Sequence, residues 1–268
     1  MSYANAWLKW FDVIEQGAGP LSTRMIELAD IGGADIVLDI GTGIGEPAVS
    51  AAMRLDDNGR VLAIDRDPSM IAIGQERAEA RGVSNVEFVV SDVETMDLAS
   101  CSLDAVLARW SMMFVGDLTG VLVKLARALR PGGHLVTVVW KSPSEVPALS
   151  LAKSAVHRHF SWPEPTYGPH SSFALSDIAI TKKLIVEAGF DNVYGERLAV
   201  SYEFASPADY IQNRLDLTGP IWEGMESDPM PVRRAAFSAI EEAMEPYRTS
   251  SGSYRMVNQA YCIAGRIG

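Results

Sequence analysis

The sequence predicts a doubly wound α/β fold, a mostly parallel sheet with helices on both faces. Five short, β-branched apolar runs alternate with helical patterns between Ile36 and Trp140. A glycine-rich loop joins the first run to the helix behind it, and the next helix has Pro68 near its start and Gly82 just past its end. Strand, helix, strand repeated with this punctuation is the sequence form of such a sheet.

The runs are IVLDI (36–40), VLAID (61–65), VEFVV (86–90), LDAVLA (103–108) and HLVTVVW (134–140). Short continuous apolar runs suit strands covered on both faces. The helices between them are PAVSAAMRL, PSMIAIGQERAEARG and LTGVLVKLARAL. Upstream, residues 5–30 read as two short helices around the break Gly17-Ala18-Gly19-Pro20. Downstream, residues 141–175 are rich in Pro, Ser and His and read as an irregular insertion. SDIAITKKLIVEAGF follows as a helix capped by Ser176 or Asp177 and closed by Gly189. NVYGERLAVSYEF and RMVNQAYCIAGRI are late strands that extend the sheet to seven, with helices over 206–217 and 231–246 between them. The expected organisation is an N-terminal helical lid over 1–30 and a main domain over 31–268. Substrate-side insertions at about 141–175 and 206–250 form a helical cap. Trp7 and Trp10 serve either a lid or a helix packed on the sheet.

At 268 residues, 48% of them apolar, the chain is long enough to bury a sizeable core. Its net charge of -11 argues against a nucleic-acid partner, because gripping a phosphate backbone calls for a basic surface. Cys101 and Cys262 stand far apart in no spaced cluster, so neither a disulfide framework nor a metal site is expected. The opening MSYANAWLKWF lacks the unbroken apolar run of a signal peptide, and no stretch approaches the ~20 apolar residues that span a bilayer. The expectation is a cytoplasmic protein.

The informative segment runs from Val37 to Ala48, where a strand leads through Gly41, Gly43 and Gly45 into a helix. Glycine lets the backbone turn sharply and lets a ligand approach closely, although a tight strand-to-helix turn alone would use the same residues. A phosphate-binding P-loop needs Lys-Ser/Thr after its last glycine, and none is present. A dinucleotide fingerprint would put its third glycine where Glu46 stands. Asp39, two residues before Gly41, would repel a pyrophosphate but suits an ammonium group, held directly or through water. That fits the methionine end of S-adenosylmethionine. Asp65, ending the second strand, can accept from both hydroxyls of a ribose, a device NAD-binding proteins share. Asp92, after the third strand, is placed either to read an adenine amino group or to cap its own loop.

In order, LDIGTGIGE, AIDRDPSM, SDVETMD, LDAVLARWS and LRPGGHLV resemble the class I S-adenosylmethionine-dependent methyltransferases. Within them the chain is most similar to the ubiquinone/menaquinone biosynthesis methyltransferase-like group. The resemblance covers roughly residues 35–140 and implies a Rossmann-like methyltransferase fold with S-adenosylmethionine as cofactor. It implies that Asp39, Gly41 and Gly43, with Thr42 and Gly45 in the same loop, meet the methionine part. Asp65 would hold the ribose, with Arg66 and Met70 beside the adenine and Asp92 and Val93 at its edge. Arg109 and Trp110 would face the sulfonium and the substrate. The segment after the fourth strand, ARWSMMF, departs from quinone-type members, and the absence there of Asn/Asp-Pro-Pro-Tyr/Phe argues against methylation of DNA bases.

The implied reaction is in-line methyl transfer to a small-molecule acceptor, with oxygen, nitrogen and carbon acceptors all open. Two alternatives stand beside it. One is a cofactor-binding protein without methyl transfer, either regulatory or promoting a cyclisation or elimination. The other is an NAD-dependent oxidoreductase. Positioning alone can suffice for an activated methyl donor, and a general base helps only with a phenol, alcohol or protonated amine. Candidates for that base are His157, His170 and Tyr167 in the insertion, although the histidines read first as surface-loop residues. His157 and His159, two residues apart, would not share a helix face, so no metal pair is expected. His134, opening a strand, reads as packing, and Glu241, Glu242 and Glu245 as a solvated helix face.

Overall fold

The computed structural model describes residues 1–268. Its apolar runs become β1 (Ile36–Ile40), β2 (Arg60–Asp65), β3 (Val86–Val90), β4 (Leu103–Arg109) and β5 (Leu129–Trp140). With β6 (Asp191–Phe204) and β7 (Tyr254–Arg266) they form a seven-stranded sheet in the order β3-β2-β1-β4-β5-β7-β6. The first five are parallel neighbours, and β7 runs antiparallel to β5. The expected doubly wound, mostly parallel sheet is therefore present. The chain proceeds outward from β1 to β2 and β3, then returns to pair β4 on the other side of β1. That reversal opens a crevice at the carboxyl ends of β1 and β4, the place where such sheets bind ligands.

Local chemistry sets the helices. In α4 (Pro68–Ala80), Asp67 caps the start by accepting from Ser69 N–H at 2.8 Å, Pro68 occupies the first turn, and Gly82 follows at φ 67°. In α5 (Leu118–Ala128), Asp117 accepts from Gly120 N–H at 2.9 Å, while Val121, Leu122, Leu125 and Ala128 bury one face. Asp177, not Ser176, caps the 178–187 helix, accepting from Ala179 and Ile180 N–H. The strand β5 begins earlier than its apolar run. The Pro131-Gly132-Gly133 turn is drawn in as a lead-in, with a register shift against β4 between Leu103 and Ala105.

Two compact units make up the chain. The larger holds residues 19–141, 168–198 and 260–268, and includes β1 to β5. The smaller holds residues 1–18, 142–167 and 199–259. It contains α1 (Tyr3–Lys9), α6 (Pro147–His159), α8 (Pro207–Thr218) and α9 (Met230–Met244), around a core that includes Tyr210, Trp222, Ile240 and Met244. Asn258, fully buried there, accepts from Ala148 N–H at the start of α6 and donates to the carbonyls of Val200 and Met256.

Two local expectations need correction. The first helices do not break at Gly17–Pro20: α2 runs unbroken from Phe11 to Leu28 with Pro20 inside it, and the break lies at Trp10. Gly17 is there for close approach, since a Cβ on it would lie 2.3 Å from the Ser201 carbonyl oxygen. Nor is the stretch after Trp140 wholly irregular, because α6 occupies thirteen of its residues. Its Pro147 sits in the first turn, where a missing N–H costs nothing, and Leu151, Ala152, Ala155 and Val156 supply a buried face.

Candidate functional site

The crevice at the ends of β1 and β4 is built around a buried carboxylate. Asp39, in β1, is fully buried. Its Oδ2 accepts from Ala48 N–H at 3.1 Å, where α3 (Ala48–Ala52) begins. Its Oδ1 has no hydrogen-bond partner, and neither has the buried Thr42 hydroxyl, although that hydroxyl stands close enough to favour the Asp39 anion. Burial pushes the Asp39 carboxyl up to about 7, against Thr42, Arg109 and the Ala48 N–H, which all favour the charged form.

The glycine loop wraps this carboxylate with Gly41, Gly43 and Gly45 all at positive φ. A Cβ on Gly41 would strike Ser111 Cβ at 2.4 Å, whereas at Gly43 it would meet nothing within 4 Å. Ser111 holds the loop after β4 against β1 by donating to the Ile40 carbonyl at 2.6 Å. Glu46 is buried and committed, accepting from Ser50 at 2.6 Å and from Arg81 at 3.0 Å, with Arg77 also beside it.

Asp65, at the end of β2, closes the same loop. Its Oδ2 accepts from Gly43 N–H at 2.9 Å and its Oδ1 from Asp67 N–H at 3.0 Å. Each carboxylate oxygen can accept more than one bond, so acceptor capacity toward a ligand remains. Exposed Arg66 lies 3.8 Å from Asp92 Oδ2, and Asp92 Oδ1 accepts from Glu94 N–H at 2.9 Å. Asp92 thus caps its own turn with one oxygen. Met70 and Val93 are buried nearby in sequence, in α4 and behind β3.

At the end of β4, Arg109 donates to Ser22 at 2.8 Å, and its guanidinium lies 5.3 Å from the Trp110 ring centre. Trp110 has φ 58° and stacks on Trp140 with centroids 4.4 Å apart. Its buried Nε1–H has no partner. The twelve residues expected around a cofactor therefore all belong to the larger unit, in or following β1 to β4 and in α4.

The three base candidates are divided between the units. His157, on α6, and Tyr167 belong to the smaller one, and exposed His170 to the larger. The Nδ1 of His157 faces the Pro163 carbonyl at 2.5 Å, and that of His170 the Val115 carbonyl at 3.1 Å. A carbonyl only accepts, so in each contact Nδ1 carries the proton. Burial, then the charge of Glu164, raises the Tyr167 pKa. No group of three or more His, Cys, Asp or Glu side chains is arranged to hold a metal ion. No helix is long and apolar enough to cross a membrane.

Comparison with known proteins finds likenesses that centre on this crevice. A family model described as a methyltransferase domain matches residues 37–133, from β1 into β5. Aklanonic acid methyltransferase DauC of Streptomyces sp. (strain C5) is 33% identical over 116 residues, which is 43% of this chain and 53% of DauC. The chain thus spans about half the length of that relative. The ubiquinone/menaquinone biosynthesis C-methyltransferase UbiE of Pseudomonas putida is 29% identical over 194 residues, 68% of this chain and 75% of UbiE. By these matches the chain is similar to the class I S-adenosylmethionine-dependent methyltransferases, and residues 37–133 carry the likeness to a methyltransferase domain. The solved structure of YcgJ from Bacillus subtilis shares the fold, with a TM-score of 0.61 at 16% identity over 92% of this chain and 97% of that one.

The methyltransferase cofactor, S-adenosylmethionine, fits the residues present. Its ammonium group requires an acceptor, and Asp39 Oδ1 and Thr42 Oγ1 are buried acceptors without hydrogen-bond partners. Its bulk requires an open backbone, which Gly43 provides. The residues that hold these loops do not stand out in the sequence alone. Lys124 Nζ donates to the carbonyls of Val93, Glu94 and Met96. The Glu94 carboxylate accepts from Gly116 and Asp117 N–H, both at 2.9 Å, tying the loop after β3 to the loop after β4. A lysine set between Val123 and Leu125 in an amphipathic helix was the available signal for Lys124.

Proposed function

We propose that this chain transfers a methyl group from S-adenosylmethionine to a small-molecule acceptor. The observation that carries the reading is Asp39, a buried carboxylate with one oxygen unpaired at the mouth of a glycine loop. A pyrophosphate brought to that loop would meet a carboxylate, whereas an ammonium group would gain a charge-assisted hydrogen bond. The names of DauC and UbiE, one acting on aklanonic acid and one in quinone biosynthesis, support a small-molecule acceptor.

In this reading Asp39 and Thr42 hold the amino-acid end of the cofactor, and Asp65 accepts from the ribose hydroxyls. Arg66, Met70, Asp92 and Val93 surround the adenine. The sulfonium supplies an already activated methyl group, so the protein's part is to orient the acceptor and exclude water. Arg109 and Trp110 line that end of the crevice. Where the acceptor must lose a proton, His157 or His170 takes it through Nε2, and the Tyr167 phenol, which burial keeps protonated, is the weaker candidate.

Calorimetric titration of the whole chain with S-adenosylmethionine, S-adenosylhomocysteine and NAD in parallel tests the cofactor. Both sulfur nucleotides should bind, and NAD should not. Binding of NAD alone would reassign the loop to a dinucleotide and end the methyl-transfer reading.

A further inference from the structure

The smaller unit contains a buried cation with no counter-charge. Arg214, on α8, is only 6% exposed. Its Nε and Nη2 both donate to one neutral acceptor, the Asn213 side-chain oxygen, at 3.1 and 2.6 Å. The ionisable groups whose fields reach it are the phenols of Tyr210, Tyr202 and Tyr3, and no carboxylate is among them. The acids of α8 are engaged elsewhere. Asp209 accepts from Ser206, and Asp216 accepts from Lys9, Trp10 and Gln212. A guanidinium cannot shed its charge, and burying one unpaired is costly.

The unused part of this group has a definite shape. Asn213 occupies the Nε/Nη2 edge, so the Nη1/Nη2 edge is the one left to present two parallel N–H groups. That fork matches a carboxylate. The surroundings are aromatic: Tyr210 lies edge-on to Phe204 at 5.3 Å, and Phe204 packs with Trp10 at 6.4 Å. Tyr3 lies edge-on to Trp7, whose buried Nε1–H is a second donor without a partner.

We propose that Arg214 is a binding residue for the carboxylate of an aromatic acid, with the exposed ring of Tyr3 receiving its apolar body. Only the ligand's role rests on the methyl-transfer reading, under which such an acid belongs to the acceptor class. The signal in the sequence is an arginine four residues after Tyr210, on the face that α8 buries.

The test compares 2-naphthoate with its neutral isostere 2-naphthamide by calorimetry on the whole chain. The acid should bind at least about tenfold more tightly, the worth of a charge-assisted hydrogen bond. Arg214→Met should bind the two alike while keeping its affinity for S-adenosylmethionine. Equal binding of acid and amide by the unaltered chain overturns the proposal, as does an Arg214→Met protein that still prefers the acid. Should that variant not fold, the unaltered chain decides alone. S-adenosylmethionine titrated into the same preparation separates the two readings. No cofactor binding with the acid preference intact removes methyl transfer and leaves the anion site. Cofactor binding without the preference does the reverse.

Discussion

Asp39 in the larger unit and Arg214 in the smaller are both buried ionisable groups, and the fold treats them differently. Asp39 has a helix N–H on one oxygen, a hydroxyl beside it and the charge of Arg109 in range. Its pKa of about 7 also lets it take up a proton when no cation is present. Arg214 has one amide oxygen and three phenols around it, and it has no such recourse. A buried group that can neutralise itself can tolerate an empty site. One that cannot is left needing an anion.

The sharpest way to divide the labour between the units is to ask which one supplies a base. Once an acceptor is found among aromatic acids and phenols, His157→Ala, His170→Ala and Tyr167→Phe should be compared for turnover and cofactor affinity. The variant lacking the base should lose roughly 10²–10⁴-fold in turnover with cofactor affinity kept. Equal turnover in all three would leave positioning alone to explain the rate.

Asp39 makes the next largest prediction. Its folded pKa, about 7, lies above the ordinary 3.8, so the folded chain binds the extra proton between those values. Its stabilising contribution is complete below about pH 4 and fades as pH rises through 7, by at most on the order of 4 kcal/mol. Denaturant unfolding of the cofactor-free protein from pH 4 to 8 should show that decline, and Asp39→Asn should flatten it. An identical slope in the variant would place the titrating group elsewhere. A smaller effect is expected of Asp65→Ala. Losing two charge-assisted bonds should weaken S-adenosylmethionine binding by about 100-fold, and unchanged affinity would sink the ribose assignment.

The larger unit was legible because its signals are local. Each strand run ends in a loop residue whose chemistry shows in the sequence, so IVLDI and VEFVV match β1 and β3 residue for residue. The smaller unit was harder to read because its signals are tertiary. Gly17 looks like a break until Ser201 is seen against it, and Pro147 looks like a loop residue until it opens α6. Arg214 reads as one more charge on an amphipathic helix, since only packing reveals that its face is covered. Lys124 was hidden for a related reason, because its three carbonyl partners lie in another loop.

Asp65 holds the glycine loop shut through Gly43 and Asp67, apart from anything it does for a ribose. A descendant gene that gave up the cofactor would still need that carboxylate to keep its loop in shape. Inheritance of the residue therefore records ancestry of the scaffold more faithfully than survival of the reaction. Among diverged copies of this chain, loss of activity should become visible first at positions such as Thr42, whose hydroxyl serves only the Asp39 carboxylate within the fold.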